Sequence, residues 1–141
     1  MDIIRKKVES IRAGGINDST DLGVNLTGLG RFLMEQGKYA EAEENPKEGE
    51  TIYRKILNRS NLQLGDNLRL QAQTLYSENK YAEAENNINE TLEIYRAGTS
   101  KEYVNYPTAL TVQGLILNRT NRVAEAEKIL REAVQIRIAS L

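Results

Sequence analysis

Apolar residues recur along most of the chain at the spacing of an α-helix. Leu26, Gly30 and Leu33 fall at i, i+4 and i+7, which places them on one face of a helix. The segment 84–95 repeats this spacing, with apolar residues at positions 84, 88, 92 and 95. Short polar segments separate these rows. The pattern predicts an all-α protein built from amphipathic helices.

The same pattern returns every 42 residues. The phrase "KYAEAE" occupies positions 38–43 and 80–85, and the near copy "RVAEAE" occupies positions 122–127. Further positions match at the same interval: Leu26, Leu68 and Leu110; Gly30, Ala72 and Gly114; Leu33, Leu75 and Leu117; Ile52, Ile94 and Ile136. A fixed period of this length predicts a stack of similar structural units.

Each unit is expected to hold two antiparallel helices joined by a tight turn. The polar breaks "QGK", "ENK" and "TNR" carry Gly37, Asn79 and Asn121 at the same place, and Gly and Asn tolerate the left-handed conformation that ends a helix. Small residues at 30, 72 and 114, and at 42, 84 and 126, predict that the two helices cross closely. One hairpin cannot bury its apolar face alone, so the units must stack. The register predicts a single array: residues 1–13 form the second helix of a partial repeat, followed by units 20–57, 62–97 and 104–141.

The sequence resembles the tetratricopeptide repeat family. Gly37, Tyr39 and Ala42 carry the signature "G-x-Y-x-x-A" in the first unit, Tyr81 and Ala84 carry part of it in the second, and the third keeps the alanine. The usual unit has about 34 residues, and the longer spacing is similar to the repeats of kinesin light chain. The resemblance implies a right-handed α-solenoid and a non-enzymatic protein–protein interaction module. Its concave groove, lined by the first helices, would bind an extended peptide or a partner helix, as a segment of a larger scaffold or regulator.

The first unit breaks the pattern at "ENPKEGE", residues 44–50. Pro46 stands where the other units have Ile88 and Leu130, and Gly49 follows three residues later. A proline inside a helix costs about 3 kcal/mol or more. Because Asn45 can cap a helix and Pro46 suits its first position, we expect the helix to kink or restart near residue 45. Two readings are open: a bend that opens a partner site, or a degenerate repeat near one end of the array.

Composition excludes several functional classes. The chain has no cysteine and no histidine, which excludes disulfides, thiolate or imidazole metal sites and histidine-dependent catalysis. With 19 Lys and Arg against 20 Asp and Glu, it lacks the basic footprint of a nucleic-acid binder. No apolar run approaches the ~20 residues of a membrane helix. We therefore predict a cytoplasmic protein with no catalytic residue, no cofactor, no bound metal, and neither nucleic acid nor membrane as partner.

The repeated acidic phrase is the remaining candidate for carboxylate chemistry. Glu41 and Glu43 lie two residues apart, so on a helix they point in different directions and do not converge. Near a helix start, carboxylates complement the positive end of the helix dipole. The phrase is therefore expected to be a solvated helix start.

Six residues on the first helices are candidates for the peptide-binding groove implied by the family resemblance. Arginine pairs bidentately with carboxylates, and tyrosine and arginine are enriched among interface hot spots. The candidates are Arg31, Arg69, Gln73, Tyr76, Asn118 and Arg119. The Lys and Asn clamp of the chaperone-binding members is absent, because Thr27, Arg31, Leu70 and Gln73 stand at its positions. A co-chaperone role is therefore not expected.

The alternative function is self-assembly through uncovered terminal helices. Natural arrays usually end in a helix with a polar outer face, whereas Ile136, Ile138 and Leu141 remain apolar. Either the sequence is a piece of a longer array, or these residues form a surface that pairs with another chain. A possible homo-oligomer through this face is thus the second expectation beside a protein or peptide partner.

Overall fold

A computed structural model describes residues 2–14, 20–56, 61–98 and 103–141. These residues form seven α-helices and no strand. The helices are α1 (Asp2–Ala13), α2 (Thr20–Glu35), α3 (Tyr39–Ile56), α4 (Leu62–Ser77), α5 (Tyr81–Gly98), α6 (Asn105–Arg119) and α7 (Val123–Ala139). The all-α prediction is confirmed, while the predicted unit ends at residues 1 and 57 lie outside the described residues.

The helices pack as three consecutive hairpins with α1 against the first of them. α2 packs on α3, α4 on α5, and α6 on α7. Neighbouring hairpins meet through α3 with α4 and α5 with α6, and the first helices also touch, α2 with α4 and α4 with α6. The chain is therefore an α-solenoid of stacked antiparallel hairpins.

The turn inside each hairpin has the predicted left-handed residue. Gly37, Asn79 and Asn121 have φ angles of 76°, 64° and 64°. In each turn the residue that follows donates its backbone N–H to a carbonyl of the preceding helix, as Lys80 does to Leu75 at 2.8 Å. These bonds satisfy carbonyls that the helix end leaves free, so the helix stops where the sequence indicates.

The apolar core runs from hairpin to hairpin. Its largest cluster joins α3 to α7, with Leu68, Ile88 and Leu110 fully buried. Burying one such side chain contributes about 1.5–3 kcal/mol, and no hairpin encloses these side chains by itself. None of the described helices combines the length and apolar character needed to cross a membrane.

Pro46 lies inside α3, which is one continuous helix from Tyr39 to Ile56. The prediction that the helix restarts near residue 45 is therefore wrong. The buried ring of Pro46 fills the space beside Gly30, where a β-carbon would overlap it. In the third hairpin the side chain of Leu130 lies in the same way against Gly114. The proline thus substitutes for a core side chain, and this packing offsets part of the cost of the missing backbone hydrogen bond.

Candidate functional site

The candidate ligand surface consists of the accessible side of α2, α4 and α6, called here the first-helix surface. Arg31 and Arg119 are exposed on it, and Gln73 and Tyr76 are half-buried. Arg69, by contrast, is only 8% exposed. The sequence-predicted residues therefore differ in how far a ligand could reach them.

Arg69 is enclosed by side chains of its own protein. Its Nε donates to the hydroxyl of Tyr95 at 3.4 Å, and its Nη1 donates to Gln73 Oε1 at 3.4 Å. Both distances are long for hydrogen bonds that a guanidinium donates. The prediction of Arg69 as an accessible ligand contact does not match this position, because its donors face protein groups.

Arg69 belongs to a polar cluster around the carboxylate of Asp66, which joins α4, α5 and the start of α6. Tyr95 donates its hydroxyl to Asp66 in a short hydrogen bond. Tyr103 donates to both carboxylate oxygens at 3.1 and 3.0 Å, and Asn105 donates its amide at 3.1 Å. The rings of Tyr95 and Tyr103 meet edge to face with centroids 5.1 Å apart. This arrangement fixes Asp66 at the base of the first-helix surface.

The cluster raises the pKa of both tyrosines. Burial, followed by the hydrogen bond to Asp66, raises the pKa of Tyr95 well above its ordinary value. Burial and the negative charge of Asp66 raise the pKa of Tyr103. Both effects favour the neutral phenol, which donates to the carboxylate. The tyrosines are therefore structural donors rather than acids available for proton transfer at neutral pH.

A cavity of about 340 Å³ opens between α2 and α4 on this surface. It is lined by Val24, Thr27, Gly28, Arg31, Tyr53, Gln63 and Asp66. Val24 is 45% exposed and supplies an apolar wall, while Arg31 supplies an exposed guanidinium. The cavity can therefore take a short side chain and offer charged or amide hydrogen bonds to a neighbouring main chain.

A second group of residues on the first-helix surface joins α4 and α6. Arg119 Nε donates to the hydroxyl of Tyr76 at 3.4 Å, and the ring of Tyr76 lies 5.7 Å from that of Tyr81. The hydrogen bond to Tyr76 raises the pKa of Arg119, so the guanidinium of Arg119 stays positively charged. Two sequence-predicted residues, Tyr76 and Arg119, are thus brought together as an aromatic and cationic pair.

Asn118 lies apart from these groups. It lines a different cavity of about 650 Å³ on the open side of α7, together with Val123, Ala126, Glu127, Leu130, Arg131, Val134 and Gln135. The predicted self-association residues also separate: Ile138 is 62% exposed and Leu141 is fully exposed, whereas Ile136 packs against the core cluster. The sequence prediction did not include Val123, Leu130 and Val134 in this face, although their helical spacing to Ile138 could have indicated it.

The repeated glutamates form ion pairs between successive hairpins. Glu43 accepts from Lys80 at 3.2 Å, and Glu85 accepts from Arg122 at 2.7 Å. In each pair the basic residue opens one copy of the repeated phrase and the glutamate belongs to the copy before it. The expectation of a purely solvated helix start is therefore incomplete, because the phrase also pairs with its neighbour.

Similar ion pairs join α1 to α3 and α3 to α5, each between residues that are 36 positions apart in the sequence. Arg54 Nη2 lies 2.9 Å from Glu90 Oε1, and Arg5 and Arg12 contact Glu41 and Glu48 in the same way. The sequence already indicated these pairs, because a basic residue is followed by a glutamate 36 positions later in each of them.

Among the described residues, no group of acidic side chains converges as a metal site would require.

A buried amide network joins α2, α3 and α4. Asn67 Nδ2 donates to Thr27 Oγ1 at 2.8 Å and to the carbonyl of Pro46 at 3.0 Å. Gln71 Nε2 donates to Asn67 Oδ1 at 2.8 Å and to Glu50 Oε1 at 2.9 Å. Nothing in the local sequence identifies these contacts, because the bonded residues lie 21 and 40 positions apart or one helical turn along α4.

Comparisons with known proteins agree with this architecture. Two family models described as "Tetratricopeptide repeat" match residues 21–97 and 108–141. No curated protein sequence matches the chain. Among solved structures, the crystal structure of BtubC (BKLC) from P. vanneervenii is similar with a TM-score of 0.88 and 13% sequence identity. The match covers 98% of this chain and 55% of that one, so the chain spans about half the length of that structure, and the likeness concerns the fold.

Proposed function

Because the chain belongs to the tetratricopeptide repeat family, we propose that it binds an extended peptide or a partner helix along the first-helix surface. Repeats of this family generally mediate protein–protein interaction and are generally non-enzymatic. The family alone does not specify a ligand, so the residues of the surface must indicate it.

The observation that carries the proposal is the cavity of about 340 Å³ between α2 and α4. It combines an exposed apolar wall at Val24 with an exposed guanidinium at Arg31, while Asp66 is held at its base by the tyrosine cluster. A small apolar side chain of the ligand fits against Val24. A ligand carboxylate next to it pairs with Arg31, whose planar group suits that geometry.

The pair formed by Tyr76 and Arg119 supplies the second contact of the proposed site. Arg119 is exposed, and its bond of 3.4 Å to Tyr76 is weak enough to be exchanged for a ligand carboxylate. Ordering the side chain of Tyr76 on binding costs little conformational entropy, as is typical of aromatic interface anchors. We therefore expect an extended, acidic segment that reaches from α2 to α6.

The test is a selection from a displayed library of random twelve-residue peptides against the chain, followed by fluorescence anisotropy of the selected peptides. The expected result is a set of acidic peptides whose Kd rises about tenfold or more on Arg31→Ala and on Val24→Asp. Lys47→Ala is the matched control, because it removes one exposed cation from α3, outside the proposed site.

Two results would overturn the proposal. One is a selection that enriches no peptide, and the other is a set of peptides whose Kd changes equally for Arg31→Ala and Lys47→Ala. Thermal unfolding of each variant, followed by circular dichroism, separates a lost contact from a lost fold.

A further inference from the structure

The open side of α7 is the most apolar exposed part of the described residues. Nine large hydrophobic side chains are exposed among the described residues, and four of them, Val123, Val134, Ile138 and Leu141, lie on α7 or directly after it. They border the cavity of about 650 Å³ or continue its line toward residue 141. Contiguous apolar surface of this kind marks an interaction site more often than isolated exposed residues do.

The residues of this face follow the spacing of a coiled-coil seam. Val123, Glu127, Leu130, Val134, Arg137 and Leu141 are separated by four, three, four, three and four residues. Such a 3–4 alternation keeps one stripe of a helix against a second helix. The helix ends at Ala139, but Ser140 keeps helical dihedral angles and Leu141 donates its N–H to Ile138 at 3.2 Å, so the stripe continues to Leu141.

The seam is self-complementary when it is paired with its own copy in the antiparallel direction. A two-fold axis beside residue 132 places Val123 opposite Leu141 and Leu130 opposite Val134. The same axis places the acidic Glu127 opposite the basic Arg137. A parallel pairing would instead put like charges opposite each other, which is unfavourable. Among the described residues, Glu127 bonds to the exposed Arg131 of its own helix, at 2.8 Å, and such an exposed pair is easily exchanged.

We propose that α7 is the interface of a two-fold homodimer in which two copies pair antiparallel along this seam. The occupant of the open face is a second copy of this chain, because the apolar and charged positions complement themselves. The interface is isologous, so each copy contributes the same residues and the contact closes at two chains. This inference does not rest on the proposed peptide site, which lies on α2, α4 and α6.

Sedimentation velocity across a range of concentrations tests the proposal. The wild-type chain is expected to dimerise reversibly, and Glu127→Arg or Arg137→Glu alone is expected to weaken the dimer about tenfold or more, since each places like charges together at both ends of the seam. Mixing the two variants is expected to restore the dimer, because every arginine then faces a glutamate of the other variant. The double variant carrying both reversals is also expected to dimerise.

Lys128→Glu is the matched control, because it changes the net charge by the same amount as Arg137→Glu on the same helix. Lys128 lies on the side of α7 that faces Glu85 and Asn89 of α5, outside the seam. Its dimer is expected to match that of the wild type. A monomer at every concentration would overturn the proposal and leave the face to a further hairpin or another protein. A dimer whose affinity is unchanged by both charge reversals would also overturn the proposal, and so would single variants that form no mixed dimer.

Discussion

The side-chain amide of Asn67 in α4 donates a hydrogen bond to the backbone carbonyl of Pro46 in α3, 3.0 Å away. The same amide nitrogen also donates to Thr27 of α2 at 2.8 Å. One buried side chain thus connects the two helices of the first hairpin to the first helix of the second. The segment around Pro46, which departs from the repeat, therefore supplies a hydrogen-bond acceptor where α2, α3 and α4 meet.

Replacing Asn67 with leucine should destabilise the fold. The change removes the donor to Thr27 and Pro46 and the acceptor of Gln71 from a fully buried site. We expect the free energy of unfolding to fall by about 1–3 kcal/mol. Urea denaturation measures it, with Asn86→Leu at an exposed position of α5 as the control. Equal effects of the two substitutions would contradict the importance of the network.

Alanine substitutions at two helical glycines should have opposite effects. A β-carbon at Gly49 would lie 3.0 Å from Asn67 Nδ2 and 3.3 Å from the carbonyl of Gly23, so it would displace the buried amide. A β-carbon at Gly28 would meet only Ile4 Cδ1, at 3.8 Å. Gly28→Ala should therefore stabilise the chain by roughly 0.5–1 kcal/mol, the usual gain in a helix.

Gly49→Ala should instead lower the melting temperature, because the lost amide contacts exceed that gain. Thermal unfolding of both variants in the same buffer checks the pair. A stabilised Gly49→Ala variant would show that the helix can move away from Asn67 at little cost.

Glu78→Gln should stabilise the chain at neutral pH and lose this advantage in acid. Burial, and then the negative charge of Glu43, raises the pKa of Glu78, one of whose carboxylate oxygens has no hydrogen-bond partner. An acid with a raised folded-state pKa is less favourably ionised in the folded chain than in the unfolded chain. Ionisation of Glu78 therefore lowers the stability of the fold above the folded-state pKa. This cost disappears as the pH falls below the pKa of the unfolded state.

We expect the free energy of unfolding at pH 7 to rise by only a few tenths to about 1 kcal/mol, because Lys80, 3.9 Å from the carboxylate, offsets part of the cost of ionising Glu78. The gain should shrink toward pH 4, near the unfolded pKa of glutamate. Urea denaturation at several pH values measures it, with the exposed Glu44→Gln as the control. A gain that is the same at every pH would rule out ionisation as its cause.

The ion pair between Arg54 and Glu90 should show a small coupling energy that salt weakens. Both side chains are more than a third exposed, and their atoms lie 2.9 Å apart. A double-mutant cycle with Arg54→Gln and Glu90→Gln should give about 0.2–1 kcal/mol. In 1 M salt, where the screening length is about 3 Å, the coupling should fall.

A second cycle with Glu93→Gln provides the control, because Glu93 is an exposed glutamate of the same helix near Arg54. Its coupling to Arg54 should be close to zero. A coupling as large as that of Glu90 would mean that the effect is general electrostatics rather than this pair.

Local patterns were sufficient to predict the helices and their turns. The 42-residue period and the residues Gly37, Asn79 and Asn121 predicted hairpins whose left-handed turns the structure contains. The local pattern wrongly predicted that the helix restarts near Pro46, because the usual penalty for a proline in a helix does not include the packing of Pro46 beside Gly30. It also gave Arg69 an accessible position, because helical spacing does not reveal the tyrosines that enclose a guanidinium.

The sequence by itself determined the class of fold, the turns inside the hairpins and the stacking of their apolar faces, because these follow from periodicity and turn chemistry along the chain. Only the tertiary structure decided which polar side chains form hydrogen bonds with other groups of the protein and which are exposed. Asp66, Asn67 and Arg69 lie within one helical turn of each other, yet their bonds reach α2, α3, α5 and α6. A hydrogen bond requires two groups within about 3 Å, and for residues far apart in sequence the packing of the helices sets that distance.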